Sequence, residues 1–189
     1  MTRRLLLAAG LTAALAPVAT AGLLPGVVSR TADAGHTRYG YDVVLPTDTQ
    51  LRAGNYFTIY DFAGYVPGTA AAPSGWTFSL ANVGPTPVQT APADDPAVPN
   101  LSWAYTGAGL AGPAAPGTFS AASTFVDVTA AYFTARTQTL SGAADTNITT
   151  TLVPVGQTAT AGPTVPEPAT LLLAGLGLAG VLGRRASRA

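Results

Sequence analysis

Between residues 22 and 155 the chain is cut into short pieces. Runs rich in Val, Thr, Phe, Tyr and Trp alternate with Gly/Pro clusters such as "GYVPG" and "GAGLAGPAAPG", and no stretch has the period and length of a helix. That punctuation excludes a helical bundle and leaves an all-β domain. In "WTFSLA", Trp76, Phe78 and Leu80 fall on one face and Thr77, Ser79 and Ala81 on the other; "LSWAY" repeats the device with Leu101, Trp103 and Tyr105 inward. Further strands are expected at 38–45, 56–62, 119–125, 131–138 and 148–155, where aromatic and β-branched residues concentrate. About seven antiparallel strands with turn signals between them predict a single β-sandwich with Trp76 and Trp103 in its core, a jelly-roll-like arrangement being the alternative.

Charge separates the ends of the chain from its middle. Of nine basic residues, all Arg, five stand near the termini: Arg3, Arg4, Arg184, Arg185 and Arg188. The middle keeps four Arg against eight Asp, a net of −4 with no lysine. A mildly acidic surface of this kind lacks the basic footprint of a phosphate binder, so nucleic acid is not an expected partner. With no cysteine, a disulfide framework, a thiolate metal site and redox chemistry are excluded.

The first segment, "MTRRLLLAAGLTAALAPVATA", has the three parts of a secretory signal. Arg3 and Arg4 form a basic start, Leu5 to Ala16 an apolar run, and Ala19 and Ala21 offer the small residues that signal peptidase admits, which places cleavage after Ala21. At the other end, 15 uncharged residues over 169–183 precede the Arg cluster. As a helix they would extend about 22 Å, short of a hydrocarbon core of about 30 Å, a mismatch that local thinning and snorkelling arginines absorb. Arg184, Arg185 and Arg188 would remain cytoplasmic and hold the preceding chain outside. Pro166 and Pro168 keep Val165-Pro166-Glu167-Pro168 extended at the membrane surface, where a processing enzyme can grip it.

Pro-Glu-Pro, an apolar Leu/Ala/Gly helix and a terminal Arg cluster, in that order at the end of a chain that opens with a signal peptide, closely resemble the PEP-CTERM sorting signal of exopolysaccharide-producing Gram-negative bacteria. The resemblance implies processing by exosortase, a membrane cysteine protease or transpeptidase. It also implies export across the inner membrane, transient anchoring, and release to the cell surface or extracellular matrix. The implied plan is a signal peptide at 1–21, an ectodomain at 22–155, a linker at 156–164 and a sorting signal at 165–189, with motif 165–168, transmembrane helix 169–183 and basic tail 184–189. The runs "FTIYDFAGYVPG", "GWTFSLANVGPTP" and "DDPAVPNLSWAYTG" are similar to a recurrent ectodomain among PEP-CTERM proteins, a likeness that carries no catalytic residue with it.

Catalytic signatures are sparse. His36, the single histidine, reads as a solvated loop residue in "DAGHTRYG", and without cysteines it cannot assemble a zinc site of the usual kind. No nucleophile elbow or phosphate loop occurs. Paired carboxylates for glycoside cleavage would have to be aspartates, since Glu167 belongs to the sorting motif. Asp94-Asp95 and Asp145-x-Asn147 are oxygen-rich without matching a full calcium loop, and Asn100-Leu101-Ser102 and Asn147-Ile148-Thr149 match the sequon pattern. No cofactor, metal site or catalytic residue is expected. Tyr56, Tyr60 and Tyr65 are candidates for stacking on a saccharide face. Three function classes follow: a non-catalytic surface or matrix protein associated with exopolysaccharide and biofilm, first; a carbohydrate-binding module; and, distantly, an Asp-based hydrolase.

Overall fold

Ten strands and no helix form among residues 22–156, the part of the chain that the computed structural model describes. They are β1 (Leu24–Asp33), β2 (His36–Leu45), β3 (Thr49–Leu51), β4 (Tyr56–Ile59), β5 (Trp76–Ala81), β6 (Asn100–Tyr105), β7 (Leu110–Ala111), β8 (Ala114–Ser123), β9 (Val128–Thr139) and β10 (Ala144–Pro154). Every pairing is antiparallel. The chain divides after Val155. The expected signal peptide, the linker beyond Gly156 and the sorting helix lie outside the described residues.

Two sheets result. The smaller has the order β1-β2-β8; in the larger, β5-β6-β4-β9 run side by side, β9 pairs along its length with β10 on its far edge, and β3 and β7 extend the near side. Strand alternation sets the inner face of the larger sheet, and register carries one row across it: Phe78, Trp103, Phe57, Ala135 and Asn147 stand opposite one another in turn. Tyr39, Tyr41, Val43 and Phe119 of the smaller sheet are buried in the same core. Phe119 reaches Phe57, Trp76 and Trp103 with ring centroids 4.8, 4.9 and 5.6 Å apart. Edge-to-face pairs of this kind add about 0.5–1.5 kcal/mol each beyond burial. Trp103 is wholly buried, its indole Nε1 without a hydrogen-bond partner. Trp76 only packs against the core in part, because its strand lies at the sheet edge.

The structure corrects several expectations. β1 was not legible: "LPGVVSRTAD" carries Pro and Gly where strands usually avoid them, yet it pairs with β2 around a bulge between Pro25 and Val28. His36 opens β2 rather than sitting in a loop, because Ala34 and Gly35, with φ of 46° and 85°, make a two-residue hairpin turn. The run expected to separate strands, "GAGLAGPAAPG", contains β7 and the start of β8. β4 ends at Ile59, not 62, and β8 at Ser123, not 125. Leu80, at the open end of β5, is 45% exposed despite its inward parity.

Both faces of β6 are covered, an arrangement alternation alone does not announce. Thr58, Asn100, Ser102 and Thr134 on the outer face are as buried as the aromatics on the inner one. Residues 82–99 cross over them: Thr58 Oγ1 donates to the Pro85 carbonyl at 2.9 Å and lies 3.0 Å from Ser102 Oγ. Residues 65–71 likewise cover the free edge of β8, where Ala71 and Ser120 exchange backbone hydrogen bonds at 2.8 and 2.9 Å. Arg38 ties that cover down, pairing with Asp33 at 2.6 Å and donating to the Thr69 carbonyl at 2.9 Å and to Ser120 Oγ at 3.1 Å.

Candidate functional site

The 82–99 crossing leaves the rest of the larger sheet's outer face open, and there β4, β9 and β10 present a mixed aromatic and polar surface. Tyr56 stands directly across from Arg136, and Arg136 across from Thr146. Two same-face positions further along, beyond the Thr134–Ile148 pair, Tyr132 faces Thr150. Tyr56 and Tyr132 are half-buried, whereas Arg136, Ile148, Thr150 and Leu152 are exposed. Burial raises the Tyr56 hydroxyl above its ordinary pKa, with Arg136 opposing the shift and Tyr60 adding to it, so it stays a neutral donor and acceptor at physiological pH. Beside this face, between β1 and the β9–β10 hairpin, lies an open groove of about 420 Å³ lined by Gly26, Val28, Ala130, Thr150, Thr151 and Leu152. That volume falls at the lower end of small-ligand sites, about 300–1,000 Å³. Flat rings, aliphatic side chains, hydroxyls and one guanidinium offer this face stacking surface and hydrogen-bonding groups.

Of the three tyrosines expected to form a stacking platform, only Tyr56 belongs to this surface. Tyr60 is wholly buried, its hydroxyl 2.8 Å from Thr86 Oγ1 and 3.2 Å from Thr134 Oγ1 beneath the 82–99 crossing, so it has no ring face to offer a ligand. Tyr65 packs on the core against Phe62 and Phe78, with centroids 6.4 and 5.8 Å apart. Arg136 and Tyr132 were missed by sequence reasoning. Their parity with Tyr56 emerges only once the β4–β9 register is known.

Three aspartates do converge. Asp61, in the left-handed region with φ 56°, accepts the Asp95 backbone N–H at 2.9 Å, while Asn100 holds the Asp61 N–H with Oδ1 at 2.8 Å and Asp94 Oδ1 with Nδ2 at 2.9 Å. Burial raises the Asp61 pKa most; the Asp95 hydrogen bond lowers it, and the charges of Asp94 and Asp95 raise it again. These carboxylates staple residues 82–99 to β4 and β6, and among the described residues no three His, Cys, Asp or Glu side chains are grouped to hold a metal ion. Both sequon asparagines are engaged as well: Asn100 is wholly buried, and Asn147 Nδ2 donates to the Leu23 carbonyl at 2.8 Å.

Ala19, Ala21, Val165, Pro166, Glu167, Pro168, Arg184, Arg185 and Arg188 lie outside the described residues. Among the described ones, no helix is long and apolar enough to cross a membrane. Residues 164–188 match the family model of the PEP-CTERM protein-sorting motif, which spans the Pro-Glu-Pro set, the apolar run and the arginines. A comparison with curated proteins finds no match.

Proposed function

We propose that this is an exported, exosortase-processed protein of the cell surface or extracellular matrix, whose β-sandwich ectodomain works by contact rather than turnover in an exopolysaccharide-rich setting. The observation that carries it is the sorting-motif match over residues 164–188. On this reading signal peptidase removes residues 1–21, the helix at 169–183 anchors the chain transiently, and exosortase acts near Val165–Pro168.

The non-catalytic part of the reading draws on the fate of the ionisable groups. His36 begins the second strand of a hairpin, and the aspartates that meet accept hydrogen bonds from the Asp95 backbone N–H and the Asn100 side-chain amide. Acid–base chemistry needs paired groups poised around a substrate.

A carbohydrate-binding module is the second reading, favoured by the cross-strand pair of Tyr56 and Arg136 on the open outer face and, further along the same hairpin, by the groove at Ala130 and Thr150–Leu152. Replacing Glu167 or its flanking prolines tests the sorting reading: such variants should stay in the membrane fraction, and normal release would contradict it. Co-sedimentation with the producer's own polysaccharide, lost in Tyr56→Ala and Arg136→Ala, would favour the binding module. Shortening of that polysaccharide would instead point to the hydrolase.

A further inference from the structure

The inner face of the larger sheet changes character at its β10 edge. The aromatic row gives way to Thr137, Asp145 and Asn147, side chains that strand parity sets on the same face. Thr137 is wholly buried and Asp145 4% exposed; they stand directly opposite, with Thr137 Oγ1 donating to Asp145 Oδ2 at 3.4 Å. Asn147 spends its Nδ2 on the Leu23 carbonyl at 2.8 Å, which fixes the amide and leaves Oδ1 buried with no hydrogen-bond partner. Such acceptors are rare in folded proteins and call for a donor. The backbone set against them is Gly22, itself buried: a Cβ on it would stand 3.1 Å from Thr137 Oγ1 and 3.6 Å from Asn147 Oδ1. The Gly22 Cα therefore lies close to both oxygens, and its nitrogen is one bond from that Cα.

We infer that Thr137, Asp145 and Asn147 form a receptor for the chain's own new α-ammonium group, created on Gly22 when the signal peptide is removed. This rests on the export reading, which places the cut between Ala21 and Gly22. Water hydrolyses that amide: its oxygen ends on Ala21 as a carboxylate, and the Gly22 nitrogen leaves as an amine that takes up a proton. An amide nitrogen in the precursor has one hydrogen and no charge; the ammonium has three donors and a positive charge. It supplies the donor that Asn147 Oδ1 lacks, next to the Asp145 carboxylate, so the site is completed by maturation.

The composition makes the test clean. All nine basic residues are Arg, so the mature chain has one primary amine, its α-amine. The secreted protein is first weighed intact to fix its N-terminus, then treated with an acetylating reagent at pH 8, folded and in guanidinium chloride, and the single acetylation is followed by mass. A chain beginning at Gly22 whose amine reacts at least tenfold more slowly when folded is the expected result. Asn147→Ala and Asp145→Asn, checked for native near-ultraviolet circular dichroism, should bring the folded rate toward the unfolded one; if either fails to fold, the wild-type comparison still decides. A chain beginning at Gly22 whose amine reacts equally fast folded and unfolded overturns the receptor and leaves the export reading standing. A mature chain beginning elsewhere overturns the receptor together with the assigned cleavage site.

Discussion

Phe57 of the larger sheet meets Phe119 of the smaller one edge-on, with ring centroids 4.8 Å apart and planes at 86°. Phe57 also stacks on Trp103 and Phe133 within its own sheet, at 5.2 and 5.4 Å, so one side chain joins both layers. Truncating a buried Phe costs about 3–5 kcal/mol, a large part of a domain's total stability. Phe57→Ala and Phe119→Ala should each lower the unfolding free energy by that order in chemical denaturation, with a double-mutant coupling of about 0.5–1.5 kcal/mol.

Alkali should unfold the ectodomain through its tyrosines. Burial raises Tyr39, Tyr41 and Tyr56, most strongly Tyr41, whose hydroxyl donates to the Leu152 carbonyl at 3.1 Å. A folded pKa above the unfolded value means that stability is whole below about pH 10 and falls as pH rises beyond it, since only the unfolded chain then releases the proton readily. Thermal melts should be flat from pH 7 to 9 and drop above 10. Tyr41→Phe should drop less steeply.

Asp61 behaves in the same sense, but at the acid end of the scale. Its pKa is raised by burial and by Asp94 and Asp95, so its charge opposes folding once ionised. Asp61→Asn keeps an oxygen for the Asp95 N–H and tolerates the left-handed backbone. It should raise Tm at pH 7, with the gain vanishing below pH 4.

Period-two alternation in "WTFSLA" and "LSWAY" announced the inner aromatic row, and Leu101, Trp103 and Tyr105 are buried as that pattern demands. It could not announce that 82–99 folds back over the opposite face, because Thr58, Ser102 and Thr134 read as solvent-facing until a partner carbonyl from Pro85 is supplied by a distant segment. The same long-range placement buries Tyr60 and isolates Tyr56 on the open surface. β1 was hidden because Pro25 and Gly26 sit at a bulge on an edge, where strand propensity matters least. The sorting motif was fully legible because its order of residue types, and no tertiary register, defines it.

The crossing segment should resist any side chain at Gly84. A Cβ there would lie 2.8 Å from Thr58 Cγ2 and 3.3 Å from Asn100 Cβ. Gly84→Val should therefore cost about 1–3 kcal/mol by overpacking and speed limited proteolysis within 82–99, whereas Val83→Ala, at a position 70% exposed, should leave both unchanged.

Intact-mass measurement of the protein recovered outside the cells tests the sorting account most directly. The account predicts a chain beginning at Gly22 and ending near Val165–Pro168, with the apolar run and its arginines gone. Extracellular protein that still carries Arg184 and Arg185 would contradict it.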